Sequence, residues 1–193
     1  MAEYVAFLRG INVGGNNKIG MDELRQAFMS WGFAGVKTVL ASGNVIFETQ
    51  KAKAGLAQII EQKISESFGI DVSVILRTVD DIKALAEADP FKNISVTPQT
   101  RLYVTFLADK PKSKTPESQD KDFRILYVSD GEVFSVLTLL PDRRTVDLMK
   151  ILEIEFGKKI TTRNWNTVCR ILKASQDKPS HSDIAERRKQ NKE

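Results

Sequence analysis

The stretch from Arg9 to Gly20, RGINVGGNNKIG, holds four glycines, three asparagines, an arginine and a lysine in twelve residues. It follows directly on the apolar run YVAFL. These residue types suit the binding of an anion. Glycines let backbone N–H groups come close to a ligand, and Arg9 and Lys18 bring positive charge. A helix expected from residue 21 would add the positive end of its dipole. The candidate contacts here are Arg9, Gly10, Asn12, Gly14, Gly15 and Lys18. GINVGG meets the first half of the phosphate-cradling pattern G-x-x-x-x-G, but Asn16-Asn17 stands where Lys-Ser/Thr would reach phosphate and magnesium. The dinucleotide pattern G-x-G-x-x-G is absent. The competing account is a strand-to-helix turn in which glycines and asparagines take left-handed conformations.

Two further polar blocks join this one. In TTRNWN, 161–166, Thr162 has the chemistry of an N-cap, which puts Arg163 and Asn164 in the first helical turn with Asn166 just after. Arg163, Asn166 and Arg170 then share one face, and an arginine beside a helix N-terminus can hold an anion. The alternative is a capped helix with a core tryptophan and solvated polar residues. In ASGN, 41–44, Ser42 and Asn44 flank a glycine, the composition of a hairpin turn. Asn44 could orient a neighbouring loop.

Other chemistry finds little material. The one histidine, His181, lies in a polar C-terminal stretch, which disfavours a histidine triad or a metal cluster. Cys169 falls on an apolar helical face and reads as a packed thiol. Asp22, Glu23, Asp80 and Asp81 stand at helix starts, where the dipole accounts for them. No metal and no cofactor are expected.

The elements that must position the blocks follow from periodicity. Residues 3–9 are apolar on both alternating faces, the mark of a central strand. Met21, Leu24, Phe28 and Trp31 fall at helical spacing. A hairpin over 36–41 and 44–48, a helix over 52–68 and a strand over 72–77 complete the order strand, helix, strand, strand, helix, strand, which is the ferredoxin-like βαββαβ plan. A helix over 79–88 follows, with Thr78 as N-cap, and Asp89-Pro90 ends it. The second half has a strand at 101–107, a polar loop at 109–119 with room for one helical turn at 115–119, and strands at 122–129 and 132–138 joined by Asp130-Gly131. A helix at 143–156, an extended piece at 159–161 and a last helix burying Trp165, Val168, Cys169 and Leu172 close it. This reads as a degenerate duplication, resting on the order of elements, with no literal repeat. The expected class is α+β, with two ferredoxin-like halves in one compact protein: 1–90, 91–175 with the terminal helix, and a polar, mobile tail at 176–193.

An RNA-recognition sheet shares this strand order but stacks bases on aromatic residues. The positions taken as equivalent, Ala6, Asn44 and Ile46, lack them. The second face of the sheet is instead expected to be covered by the other half.

YVAFLRGINVGGNNKIGMDELR, ASGNVIF, DPF and TTRNWNTV together resemble the bacterial family called domain of unknown function 1697, over roughly 1–174. The resemblance implies two ferredoxin-like α/β parts and brings no established activity. Its motif blocks fall on Arg9, Gly10, Asn12, Gly14, Gly15, Lys18, Ser42, Gly43, Asn44, Arg163, Asn164 and Trp165.

Bulk properties bound the function classes. A net charge of +4 is compatible with an anionic partner without demanding one. No apolar run reaches the roughly 18 residues of a membrane span, no secretory signal is visible, and one cysteine permits no internal disulfide. The expectation is a cytoplasmic binding module for an anionic ligand, either a nucleotide-like small molecule or a nucleic-acid backbone. The alternatives are an enzyme acting without histidine on a phosphorylated or acyl small molecule, and a structural or dimerisation protein. Oligomeric state is left open.

Overall fold

A computed structural model describes residues 1–15, 17–114, 122–140 and 147–177. The expected helical turn at 115–119, the start of the helix expected at 143, His181 and all but the first two residues of the expected tail lie outside them.

The first half runs β1 (Ala2–Leu8), α1 (Met21–Ser30), β2 (Ala34–Val39), β3 (Asn44–Thr49), α2 (Leu56–Phe68), β4 (Val74–Thr78) and α3 (Val79–Glu87). The second runs β5 (Thr100–Leu107), β6 (Phe123–Val128), β7 (Glu132–Thr138), α4 (Leu148–Phe156), β8 (Ile160–Asn164) and α5 (Trp165–Gln176). Each half forms a four-stranded antiparallel sheet, in the orders β2-β3-β1-β4 and β6-β7-β5-β8. This is the strand arrangement of the ferredoxin-like plan, so the α+β class with two similar halves stands.

The alternation of side chains sets three cores. Tyr4, Ala6 and Leu8 point from β1 towards α1 and α2, where Leu24, Phe28, Ile60 and Ile64 meet them. Val5 and Phe7 point the other way, against Val104, Phe106, Phe134 and Val136 of the second sheet and against Val168 and Ile171 of α5. A third core lies between the second sheet and α4. Both faces of the central strands are thus buried, the first sheet's second face by the other half, as its apolar pattern requires.

Several local expectations are corrected. Ala6 pairs with Val45, so it lies on the helix side of the sheet; the face carrying Ile46 takes Val5 and Phe7 from β1. That face does hold an aromatic residue, but Phe7 is fully buried. α2 begins at Leu56, four residues later than expected, behind Gly55 at φ 75°. The last helix starts at Trp165, capped by Asn164, not by Thr162. Thr161 and Thr162 are β-branched and extend β8, where the Thr162 and Thr105 hydroxyls meet at 2.8 Å. Arg163 therefore belongs to a strand and does not share a helical face with Asn166 and Arg170. The buried stripe of α5 is Val168 and Ile171, flanked by Trp165 and Leu172, which leaves Cys169 exposed.

The strand register also exposes a repeat that the pattern-based reading misses. Val5 pairs with Arg77 and Phe7 with Asn44; Val104 pairs with Arg163 and Phe106 with Glu132. Under this equivalence YVAFL (4–8) lies over YVTFL (103–107), identical at four of five positions, and SGNV (42–45) lies over DGEV (130–133).

Candidate functional site

The sequence-predicted blocks converge at the ends of β1, β3 and β8. Arg163 is the pivot, and it is only 7% exposed. Its Nε donates to Asn44 Oδ1 at 2.6 Å, and Nη1 to Thr161 Oγ1 and the Thr162 carbonyl at 2.8 and 2.9 Å. Nη2 donates to the Leu8 carbonyl at 2.7 Å and the Gly43 carbonyl at 3.4 Å. All five N–H groups of the guanidinium are engaged, every one by a neutral acceptor. Burial pushes the Arg163 pKa down to about 10.

The surrounding candidates are tied into the same knot. Asn44 is fully buried and donates to the Val39 carbonyl and Ser42 Oγ. Asn12, at φ 55°, donates to the Ile19 and Ala41 carbonyls and accepts from the Ile19 N–H, which fastens the 9–18 loop to the β2–β3 hairpin. Gly43 sits at φ 74° against Ile11 and Leu8. Arg9 donates to the Lys158 carbonyl and forms an ion pair with Glu153 of α4. Asn164 is spent on capping the Asn166 N–H, and the Asn166 side chain is exposed.

The outer side of the loop is different. Gly10, Gly14 and Gly15 all have positive φ, and a Cβ at any of them would meet open space. They serve the path of the chain, not close packing. Lys18 is exposed and has no ion-pair partner among the described residues.

A second arginine occupies the equivalent place in the other half. Arg77 Nη2 donates to the Leu107 and Gly131 carbonyls at 2.9 and 2.7 Å, and Nε to Glu132 Oε1 at 2.7 Å. Leu107, Gly131 and Glu132 are the counterparts of Leu8, Gly43 and Asn44. Each half thus sends the arginine of its last strand into the other half's hairpin. Each guanidinium carbon lies 5.6 Å from a phenylalanine ring centroid, Arg77 over Phe106 and Arg163 over Phe7. The two rings stack on each other at 4.1 Å, at the centre of a pseudo-twofold arrangement. The symmetry breaks in charge: Arg77 is neutralised by Glu132, while Arg163 faces Asn44. The sequence reading missed Arg77 and Glu132; the YVxFL and xGxV echoes were the signal for them.

The symmetry also breaks in shape. Beside α3, a cleft of about 590 Å³ opens between the halves, lined by Lys53, Arg77, Asp81, Leu85, Tyr127 and Phe134 among others. A polar depression of about 460 Å³ adjoins it, sharing Lys53 and Arg77 and reaching the start of α2 and Lys159. Among the described residues, no helix is long and apolar enough to cross a membrane, and no three His, Cys, Asp or Glu side chains cluster as metal ligands would.

A family model described as a protein of unknown function, DUF1697, matches residues 1–134. A conserved bacterial protein from Streptococcus pneumoniae has a similar solved structure, with a TM-score of 0.68 and 25% sequence identity, over 90% of this chain and 98% of that one. No curated protein matches significantly.

Proposed function

The chain belongs to the DUF1697 family, and we propose that it is a binding module for an anionic ligand, taken on the outer side of the 9–18 loop. One observation carries this reading: among the described residues, the buried Arg163 charge has no carboxylate hydrogen-bond partner, whereas its twin Arg77 has one. A guanidinium held by neutral acceptors keeps its full field, and in a low-dielectric setting that field extends to nearby surface. Lys18 is exposed and the backbone of Gly10, Gly14 and Gly15 is open in the loop that follows Leu8, whose carbonyl Arg163 holds. Arg163 itself does not touch the ligand, because its donors are used. Its role is electrostatic, and contact falls to Lys18 and backbone amides.

The test is Asn44→Asp, which sets a carboxylate against Arg163 as Glu132 does for Arg77. Because it also removes the donations to Val39 and Ser42, circular dichroism first establishes that the variant folds, and Lys18→Glu carries the test if it does not. Binding of inorganic phosphate, mononucleotides and short single-stranded RNA is measured by calorimetry at two salt concentrations. Asn44→Asp and Lys18→Glu are each expected to weaken binding about tenfold, with affinity falling as salt rises. Equal affinity in both variants and the parent rejects the reading. The saturation of Arg163 favours a second account, in which the cluster only joins the halves. That account predicts no binding of any of these anions and a protein unaffected by Lys18→Glu.

A further inference from the structure

The cleft beside α3 exists because the two halves finish differently. α5 has 12 residues and packs on β2 and β3 of the opposite half. Its end is held there by Lys37 Nζ, which donates to the Ala174 and Asp177 carbonyls. α3, its counterpart, has 9 residues. It is three residues shorter, and while Phe91 just beyond it packs on Phe134 of β7, Tyr127 of β6 is left uncovered. The residue equivalent to Lys37 is Tyr127, since Lys37 pairs with Ile46 and Tyr127 with Phe134. Tyr127 is 59% exposed. Its ring lies over the Phe134 ring at 6.0 Å and 22°, a flat platform with Leu85 and Pro90 facing the same space.

The rim of this cleft is polar but electrically balanced. Lys53 and Arg77 stand against Asp81 and Glu132. A charged guest would gain little there, in contrast to the loop over Arg163. The hydrogen-bonding capacity is more selective. Glu132 Oε1 accepts from Arg77 Nε and Oε2 from Ser129 Oγ, so each oxygen keeps one lone-pair site for a donor from a guest. Lys53 Nζ is 3.9 Å from Asp81 and has N–H groups to offer an acceptor. The volume of about 590 Å³ falls in the range of small-ligand sites.

We propose that this cleft binds an uncharged, flat heterocycle of about nucleobase size, stacked on Tyr127, with a ring N–H directed to Glu132 and a ring carbonyl to Lys53. The site is separate from the anion surface over Arg163 and does not depend on it. A guest without a donor–acceptor edge would leave the Glu132 lone pairs and the Lys53 amine without a partner and so lose to one that has it.

Saturation-transfer NMR and calorimetry on the full chain test this with uracil and hypoxanthine as matching probes, toluene as an apolar probe and benzoate as a charged one. Uracil or hypoxanthine should bind at millimolar or lower concentration, ahead of toluene and benzoate. Tyr127→Ala should weaken them about tenfold, the usual cost of losing one stacking partner. Leu85→Trp, which fills the cleft while keeping an apolar side chain, should abolish binding, with circular dichroism reporting an intact fold. Absence of binding, toluene or benzoate binding as well as the heterocycles, or heterocycle affinity unmoved in both variants would each overturn the proposal. Phosphate titration of Leu85→Trp keeps it distinct from the anion reading, since that response should match the parent.

Discussion

Gly43 leaves no room for a side chain. Its φ of 74° is left-handed, and a Cβ there would lie 2.6 Å from Ile11 and 3.0 Å from Leu8. Its carbonyl also accepts from the Leu8 N–H and from Arg163. Gly43→Ala is expected to cost about 2–4 kcal/mol of unfolding free energy in a urea titration. A loss below about 1 kcal/mol, within the range of an ordinary surface change, would mean that the hairpin moves aside freely. At this scale the sequence was legible in residue type but not in partner. ASGN read correctly as a hairpin, yet nothing in it told that Asn44 would be fully buried against an arginine 119 residues away. Such a contact depends on how two sheets face each other, which no local spacing encodes.

At the scale of elements, the best-specified helix is α3. Thr78 and Asp81 form a reciprocal capping box, each side chain accepting from the other's backbone N–H. Partial burial pushes the Asp81 carboxyl up, but the bonds from Thr78 and the nearby Lys53 and Arg77 together hold it below the ordinary value of 3.8. A carboxyl lowered in the folded state stabilises above its unfolded pKa, and that contribution is lost as pH falls through the folded value. Thr78→Ala is thus expected to cost about 1 kcal/mol at neutral pH. In thermal melts the gap between variant and parent should narrow below pH 3.8. A gap that is constant with pH would remove Asp81 from the account. This helix was legible because cap, first-turn acid and terminating Asp-Pro all agreed. The start of α5 was not, because Thr162 has the chemistry of a cap and of a strand alike, and pairing with β5 decided for the strand.

The whole molecule is joined by its middle. The core between the sheets takes Val5, Phe7 and Ile46 from one half and Val104, Phe106 and Val136 from the other. The connection between α3 and β5 has exposed residues at 92, 93 and 95–99. Cutting the chain within 95–99 is expected to leave two fragments that co-elute in gel filtration and part only in denaturant. Fragments that separate in native buffer would show that the covalent link, not the shared core, keeps the halves together. The doubled order of four strands was legible in their periodicity, and apolar character on both faces foretold a covered sheet. The cleft was not legible, since it arises from a three-residue difference between two helices far apart in the chain.

The exchanged arginines also bear on birth order at the ribosome. The carbonyls of Leu8 and Gly43 receive Arg163, which is translated 155 and 120 residues after them. The leading half therefore emerges with its inner sheet face uncovered, with the Gly43 carbonyl held by the Leu8 N–H alone, and the trailing half later adds the Arg163 bonds to Leu8 and Gly43. A chain stalled before β8 would hold both sheets' inner apolar residues from β1, β3, β5 and β7 but would lack the arginine that fastens the β1 end to the hairpin.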